Sequence, residues 1–234
     1  MRSRELSLEQ YDSDKIVNRY LDRYDPILEP WVGKDVCLLE LGVHKGGSLL
    51  LWRDYFPRGT IAGIDIRLPK NFQPPDRIHL YEGSQADPEF LSRVAREVAP
   101  DGFDIIIDDA SHVAELTKAA FWHLFENHLK SQGLYVIEDW GTGFWEDWPD
   151  GKRVALESTA EAKRTSLWSR MVGTWRSKAA MRSHQYGMVG LVKQLVDEQG
   201  AADASRELRS GRPKRQSRFE SMTIVPGIVF IRKT

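Results

Sequence analysis

The sequence predicts an α/β fold in which helices cover a mostly parallel seven-stranded sheet that ends in an antiparallel hairpin. Between Asp35 and Glu138, short continuous apolar runs alternate with helical patterns. Such an alternation is typical of a parallel sheet that is buried on both faces. The last residues instead form two β-rich runs separated by Pro226-Gly227, which predicts a tight turn. Because 41% of the 234 residues are apolar, the chain can build one sizeable core.

Each predicted element has its own local signal. Apolar, β-rich runs predict five parallel strands and the two strands of the hairpin, at residues 35–41, 60–65, 77–81, 103–108, 134–138, 221–225 and 228–231. Helical patterns lie between them, at residues 46–55, 88–98 and 116–129. The second helix has Asp87 as a cap and Pro88 at its first position, which together mark a helix start.

Two segments fall outside this alternation. Residues 1–34 contain a short helix pattern that ends near Pro26, and we expect an N-terminal helical segment there and a main domain over residues 35–234. An insertion follows at residues 141–183. With its entrance it holds five of the eight tryptophans, namely Trp140, Trp145, Trp148, Trp168 and Trp175. The insertion is either a lid that lines an acceptor site or a helical cap packed by aromatic rings.

Composition excludes several classes of protein. Cys37 is the only cysteine, so neither an internal disulfide nor a thiolate-rich metal site can form. No apolar stretch reaches the roughly 20 residues of a membrane helix, and the N-terminus leads into no apolar signal region. We therefore expect a cytoplasmic protein without a membrane partner.

The formal net charge of −1 conceals a charge asymmetry along the chain. Residues 151–234 contain 17 Lys and Arg against 7 Asp and Glu, whereas residues 1–150 contain 16 against 27. The two halves either present solvated faces that offset each other or form a basic rim that steers an anionic substrate. A nucleic-acid partner is not expected, because no recognition motif accompanies the basic residues.

A glycine-rich turn joins the first strand to the first helix of the main domain. It runs from Glu40 to Ser48, contains Gly42 and Gly46, and does not have the spacing of the dinucleotide-binding fingerprint. Asp65 ends the next strand, where its carboxylate can accept hydrogen bonds from ribose hydroxyls. An acid in the turn and another at the second strand end predict an S-adenosylmethionine site. The alternative is a turn built for packing, with Asp65 as a cap.

Acidic residues follow the fourth and fifth strands. Asp108 and Asp109 end one strand, and Glu138 and Asp139 end the other. Because parallel strand ends share one edge of a sheet, Asp109, Glu138 and Asp139 can converge. Three convergent carboxylates repel each other unless a cation lies between them, and oxygen ligands favour magnesium or manganese. The alternative is that these acids cap helices or pair with basic residues.

His112 lies three residues after Asp109, at the same end of the sheet. A neutral imidazole there could remove a proton from a substrate hydroxyl, provided that a metal ion first acidifies that hydroxyl. The metal site and the histidine therefore form one hypothesis. The other five histidines are interpreted as structural.

These motifs together resemble a known family. The run from Gly42 to Leu49, the strand end Gly63-Ile64-Asp65, the run from Ile107 to His112 and the run from Tyr135 to Asp139 are similar to the class I S-adenosylmethionine-dependent sugar O-methyltransferases of macrolide biosynthesis, of the mycinamicin and tylosin type. The chain is also similar to the cephalosporin hydroxylase-like family. The resemblance covers roughly residues 36–140 and implies a Rossmann-like fold.

The resemblance also implies roles for individual residues. Asp109, Glu138 and Asp139 would bind magnesium, and His112 would be the general base. The residues expected to contact the cofactor are Glu40, Gly42, Gly46, Ser48, Asp65, Gln85 and Asp108. Tyr20 and Tyr24 lie either over the cofactor or in a core helix.

The sequence departs from the family at several points. Ala110 replaces the usual glycine, and Trp140 follows the Glu-Asp pair. We also expect the chain to lack the long N-terminal domain of the mycinamicin type, so its assembly can differ from that type, and a homo-oligomer is one possibility. We expect methyl transfer to a hydroxyl of a sugar, with Trp140, Trp145 and Trp148 as candidate substrate contacts. The alternatives are a catechol-type acceptor, a nicotinamide-dependent oxidoreductase and a non-catalytic S-adenosylmethionine-binding module.

Overall fold

The computed structural model describes residues 2–153, 183–206 and 214–234. Its centre is a seven-stranded sheet in the order β3-β2-β1-β4-β5-β7-β6. Strands β1 to β5 are parallel, whereas β7 runs antiparallel to both β5 and β6. The predicted α/β fold, with its mostly parallel sheet and terminal antiparallel hairpin, is therefore confirmed.

The strands are β1 (Cys37–Leu41), β2 (Thr60–Asp65), β3 (Ile78–Glu82), β4 (Phe103–Asp108), β5 (Leu129–Glu138), β6 (Phe219–Val225) and β7 (Ile228–Lys233). The α-helices with described bounds are α1 (Asp14–Val17), α2 (Leu21–Leu28), α3 (Gly47–Tyr55), α4 (Pro88–Val98), α5 (Ala114–Asn127), α6 (Gly187–Gln199) and α7 (Ala201–Ala204). Short 3-10 helices lie at Arg2–Glu5, Leu8–Gln10, Glu29–Trp31 and Trp140–Phe144. Within the described ranges, every helix is too short or too polar to cross a bilayer.

Alternate side chains of the central strands point to opposite faces of the sheet, and each face has its own core. Leu39 and Ile106 pack with α4, α5 and α6 on one face. Leu38 and Ile105 pack with α3 and the N-terminal segment on the other. Helices on both faces explain why the parallel strands are continuously apolar. The carboxyl ends of β1, β2, β4 and β5 meet at one edge, which therefore holds the acidic strand ends.

The N-terminal segment packs into the main core and contributes large side chains to it. Tyr24 and Leu28 of α2 are fully buried, and Trp31 is nearly so. The Tyr24 ring makes edge contacts with Trp52 of α3 and Phe230 of β7. This packing brings α1 and α2 against the carboxyl edge of the sheet. The division into a segment of residues 1–34 and a domain of residues 35–234 stays a prediction.

Some element boundaries differ from those predicted. Strand β5 begins at Leu129, not near Leu134, because a bulge allows an earlier pairing of Leu129 with Phe103. Helix α2 continues through Pro26, which a helix tolerates here at the loss of one backbone hydrogen bond. Of the tryptophan-rich insertion, residues 154–182 with Trp168 and Trp175 lie outside the described residues.

A histidine pair couples two helices on one face of the sheet. Ser92 Oγ of α4 lies 2.8 Å from His123 Nε2 and 2.9 Å from His128 Nε2. Burial lowers the pKa of His123, and burial together with the charge of His123 lowers the pKa of His128. Protonation of these rings therefore opposes folding.

His123 and His128 are expected to make a contribution to stability that is lost in acid. The unfolded chain takes up protons near pH 6.5 that the folded protein excludes, so the contribution of this pair to stability is complete above about pH 6.5 and is lost below it. We expect a shift from about pH 7.5 to about pH 5 to be less unfavourable for the melting temperature of His128→Gln than for that of the wild type. Thermal denaturation at both pH values measures the difference, and an equal change in the two proteins would contradict the prediction.

Candidate active site

A cavity of about 720 Å³ opens at the carboxyl edge of the sheet. Its lining comes from the glycine-rich turn, the ends of β2 and β3, the loop after β4, Trp148 and the N-terminal residues Asp12 to Lys15. The crevice outside the carboxyl strand ends is where open α/β sheets bind their ligands. The cavity is therefore the candidate active site.

The glycine-rich turn packs closely against neighbouring segments. Gly42 has a φ of +94°, and a Cβ added there would lie 2.1 Å from the carbonyl oxygen of Asp109. A side chain at this position would thus push the β1 turn away from the loop that follows β4. A Cβ on Gly46 would meet the ring of Phe72 at 2.7 Å. Both glycines are required for packing, and Gly42 also lines the cavity.

Glu40 lies beneath the turn and not among the cavity-lining residues. Its carboxylate is fully buried and accepts hydrogen bonds from Ser48 Oγ at 2.6 Å and Trp52 Nε1 at 3.1 Å. Burial raises the pKa of Glu40, although the nearby Lys15 opposes the shift. Glu40 therefore stabilises the turn through hydrogen bonds on its buried side, while Ser48 lines the cavity.

Asp65 holds the turn from the adjacent strand. Its Oδ2 accepts from the backbone nitrogens of Val43 at 2.8 Å and His44 at 3.1 Å, and its Oδ1 accepts from that of Arg67 at 3.0 Å. Asp65 also lines the cavity. Because a carboxylate has about four lone-pair sites, this side chain can still accept a bond from a ligand hydroxyl.

Gln85 and Asp108 form a buried polar pair beside the cavity. Gln85 Nε2 donates to Asp108 Oδ1 at 3.3 Å, and its Oε1 accepts from the backbone nitrogen of Ser111 at 3.2 Å. Tyr135 Oη donates to Asp108 Oδ2 at 3.3 Å. Burial raises the pKa of Asp108 to about 7. Gln85 lines the cavity, whereas Asp108 lies behind it and orients Gln85.

The structure brings Asp109, His112 and Asp139 together, and Asp109 and His112 line the cavity. One ligand atom from each lies within 4.8 Å of the others. His112 Nε2 is 3.8 Å from Asp109 Oδ1 and 4.0 Å from Asp139 Oδ2. Two carboxylate oxygens at this spacing fit part of the oxygen donor set of a hard divalent cation such as Mg²⁺.

Two of these residues have an unusual backbone conformation. The φ angles of His112 and Asp139 are +51° and +52°. A residue other than glycine in the left-handed region costs about 1–3 kcal/mol, and such residues cluster at functional sites. The two residues lie in the loops that follow β4 and β5, and their side chains approach each other to 4.0 Å.

Glu138 and Asp139 are each held by a tyrosine of the N-terminal segment. Tyr24 Oη donates to Glu138 Oε1, and Tyr20 Oη donates to Asp139 Oδ1. Tyr20 and Tyr24 thus contact the carboxylate cluster. Burial raises the pKa of Asp139, an effect that the hydrogen bond from Tyr20 opposes and the charge of Asp109 strengthens.

Lys15 is the site residue that sequence reasoning missed. Its side chain is fully buried, and its Nζ lies 2.5 Å from Asp109 Oδ2, 3.1 Å from Glu138 Oε2 and 3.2 Å from Glu40 Oε1. Burial alone would lower the pKa of Lys15, but these three carboxylates outweigh it and raise the pKa well above its usual value. Lys15 lies in the four-residue helix α1, which has no motif, so no local signal indicated its role.

The three candidate substrate tryptophans have different surroundings. Trp148 lines the cavity, and its ring meets His112 edge-on at a centroid distance of 5.1 Å. Trp145 is 54% exposed, and its ring centroid lies 6.5 Å from that of Trp148. Trp140 Nε1 donates to the carbonyl of Val225 at 3.0 Å and packs on the core. Only Trp148 of these three lines the cavity.

Gly227, in the hairpin turn, packs closely against Tyr20, which donates a hydrogen bond to Asp139. Its φ is +84°, and an added Cβ would lie 2.2 Å from Tyr20 Oη. Gly227→Ala should therefore displace Tyr20 from Asp139 and cost about 1–3 kcal/mol of stability. Urea denaturation measures the loss. Gly33→Ala is the control, because a Cβ there meets nothing within 4 Å. Equal stability of the two variants would show that the turn does not hold Tyr20.

Sequence comparison finds no matching family model, but it finds similar individual proteins. The chain is 41% identical over 133 residues to a mycinamicin VI 2''-O-methyltransferase of Micromonospora griseorubida, covering 54% of this chain and 32% of that protein. It is 31% identical over 234 residues to an 8-demethyl-8-alpha-L-rhamnosyl tetracenomycin-C 2'-O-methyltransferase of Streptomyces olivaceus, covering 96% and 53%. The chain resembles antibiotic sugar O-methyltransferases. The resemblance inferred from the motifs is confirmed.

Solved structures of a methyltransferase agree with the sequence relatives. MycE methyltransferase from the mycinamycin biosynthetic pathway, in complex with Mg and SAH, matches with a TM-score of 0.67 and 30% identity, over 91% of this chain and 49% of that chain. Its complex with Mg, SAH and mycinamycin VI matches with a TM-score of 0.65 and 29% identity, over 91% and 48%. The fold is therefore that of a Rossmann-like methyltransferase. The chain spans about half the length, or less, of the relatives that it matches.

Proposed function

We propose that this chain transfers a methyl group from S-adenosylmethionine to a hydroxyl of a sugar on a natural product, with a bound Mg²⁺ or Mn²⁺ ion. The observation that supports this most is the convergence of Asp109, His112 and Asp139, of which Asp109 and His112 line the same cavity as Asp65. By their names, the similar proteins methylate sugar-bearing antibiotics, and MycE is solved with Mg and SAH.

The cofactor would lie against the glycine-rich turn. Asp65, Gln85 and Ser48 present polar atoms to this part of the cavity, and Gly42 adds no side chain that would fill it. S-adenosylmethionine supplies the methyl group: its carbon–sulfur bond breaks as the acceptor's oxygen–carbon bond forms, and the electron pair stays on sulfur. The residues around it need only bind the nucleoside and align the methyl carbon with the acceptor oxygen.

The metal ion would be held by Asp109 Oδ1 and Asp139 Oδ2, the two carboxylate oxygens that face His112. Glu138, the third ligand that the resemblance implies, has Tyr24 on one oxygen and Lys15 on the other. It would therefore act through Lys15 and Tyr24, behind the two aspartates. The ion supplies Lewis acidity, which lowers the pKa of an acceptor hydroxyl.

His112 would accept the proton of that hydroxyl. Its imidazole is 8% exposed, packs against Trp148 and has its Nε2 directed towards Asp109 and Asp139. A base so placed contributes about 10²- to 10⁴-fold to rate.

The acceptor would enter beside Trp148. An indole face can pack against a sugar ring or against the apolar part of a natural product. A catechol-type acceptor presents two adjacent oxygens to the same metal ion and is the second candidate.

An assay with defined acceptors tests the proposed function. Purified protein, S-adenosylmethionine and Mg²⁺ are incubated with a glycosylated macrolide, a rhamnosylated polyketide or a catechol, and products are analysed by mass spectrometry. We expect a single methyl gain on a glycosylated acceptor and its loss with a chelator. Methylation of the catechol alone would favour the second candidate. Binding of S-adenosylhomocysteine without methylation of any acceptor would favour a non-catalytic module.

A further inference from the structure

The ammonium group of Lys15 lies inside the carboxylate cluster, with no part of the side chain exposed. It contacts Asp109, Glu138 and Glu40 at 2.5, 3.1 and 3.2 Å. An ammonium group has three hydrogens to donate, and three carboxylates surround this one. A lysine buried to this extent among acids is a built-in counter-ion for them.

The positive charge of Lys15 is too small to offset all of the carboxylates around it. With Asp139, the cluster comprises four carboxylates, and Lys15 contributes one positive charge to it. One ammonium group thus faces four carboxylates, and it does not contact all of their oxygens. Buried carboxylates that lack a positively charged partner are unfavourable, so the cluster favours the binding of a further cation.

The hydrogen bonds within the cluster determine which carboxylate oxygens are available to bind that cation. Glu138 has Tyr24 and Lys15 on its two oxygens, Asp109 has Lys15 on Oδ2, and Asp139 has Tyr20 on Oδ1. The second oxygens of Asp109 and Asp139 both face His112 Nε2, at 3.8 and 4.0 Å. Lys15 therefore directs one oxygen of Asp109 away from the cavity and the other one into it.

We propose that Lys15 is a positioning residue that occupies the inner side of the carboxylate cluster, so that a divalent cation binds only on the outer side, between Asp109 and Asp139. The inner ammonium keeps Glu40 and Glu138 neutralised when no metal is bound. It also lowers the affinity of the cluster for metal, because it places a positive charge next to the ligand Asp109. This inference uses the cation site of the proposed function but not methyl transfer.

Lys15→Met tests this proposal by direct metal binding. Methionine is apolar and similar in length to lysine, so the variant removes the charge and preserves most of the packing. We expect it to bind Mn²⁺ at least about 10-fold more tightly than the wild type in calorimetric titration, because removing a neighbouring positive charge favours a cation. Mg²⁺ should also raise the melting temperature of the variant more than that of the wild type, since the metal can now neutralise the inner carboxylates.

Lys130→Met is the matched control. Lys130 Nζ pairs with Asp104 at 2.9 Å, at the opposite end of strands β4 and β5. This variant should lose some stability but keep the Mn²⁺ affinity of the wild type. A purely structural role of Lys15 would lower the melting temperature equally with and without Mg²⁺.

The proposal is overturned if Lys15→Met binds Mn²⁺ with unchanged or lower affinity, or if it fails to fold at every Mg²⁺ concentration. Folding of the variant only with Mg²⁺ would support the proposal. The proposed function fails separately, through the absence of methylation by the wild type. A wild type that binds no Mn²⁺ would remove the metal from that function, whereas gain of binding in Lys15→Met would still support the role of Lys15.

Discussion

His112→Ala is expected to lower the turnover number by about 10²- to 10⁴-fold while leaving cofactor binding in place. His112 Nε2 is directed towards the two oxygens proposed to hold the metal ion, so it lies where the acceptor hydroxyl would be acidified. The residues proposed to bind the nucleoside, such as Asp65, do not depend on this imidazole for their hydrogen bonds. Initial rates at saturating substrate and calorimetric titration with S-adenosylhomocysteine measure the two effects separately.

His79→Ala provides the control for this prediction. His79 is an exposed residue of β3, so its removal takes away the same chemical group without changing the cavity. The control should retain the rate of the wild type. Wild-type turnover by His112→Ala at neutral pH would contradict the assignment of His112 as the base.

Asp139→Asn is expected to weaken Mn²⁺ binding on the order of 100-fold or more and to lower the rate at limiting metal. The amide keeps the size of the side chain and can still accept the hydrogen bond from Tyr20. It removes the negative charge at the oxygen that faces His112. Calorimetric titration with Mn²⁺, and the rate as a function of Mg²⁺ concentration, measure the effect.

Asp104→Asn is the corresponding control, because Asp104 pairs with Lys130 away from the cavity. Its Mn²⁺ affinity should equal that of the wild type. If Asp139→Asn also binds Mn²⁺ as the wild type does, the metal ion does not lie between Asp109 and Asp139. Unaltered metal binding together with a reduced rate would assign Asp139 to the orientation of His112.

Local sequence signals predicted most of the fold. The Asp87-Pro88 start of α4 is confirmed, since Asp87 Oδ1 accepts from the backbone nitrogens of Glu89 and Phe90 at 3.1 Å. The hairpin around Pro226-Gly227 is confirmed as β6 and β7. Caps, turns and apolar periodicity act over a few residues, and they can therefore be identified without tertiary contacts. The start of β5 was predicted too late, because its bulge depends on pairing with β4.

The sequence predicted which residues lie at the candidate site but not how their side chains are oriented. The order of strands in a parallel sheet places Asp109 and Asp139 at one edge, and the structure brings them to His112. Sequence position does not show which oxygen of each acid faces the cavity. That depends on Tyr20, which reaches Asp139 from 119 residues away.

The sequence by itself determined the α/β architecture, the carboxyl edge at which the acids converge, and the similarity to sugar O-methyltransferases. Only the tertiary structure showed that Lys15 lies inside the cluster, in contact with Asp109 and Glu138 across 94 and 123 residues of chain. The physical reason is the range of the interactions. Secondary structure follows from neighbouring residues, whereas the burial of a charge depends on every segment that excludes water from it.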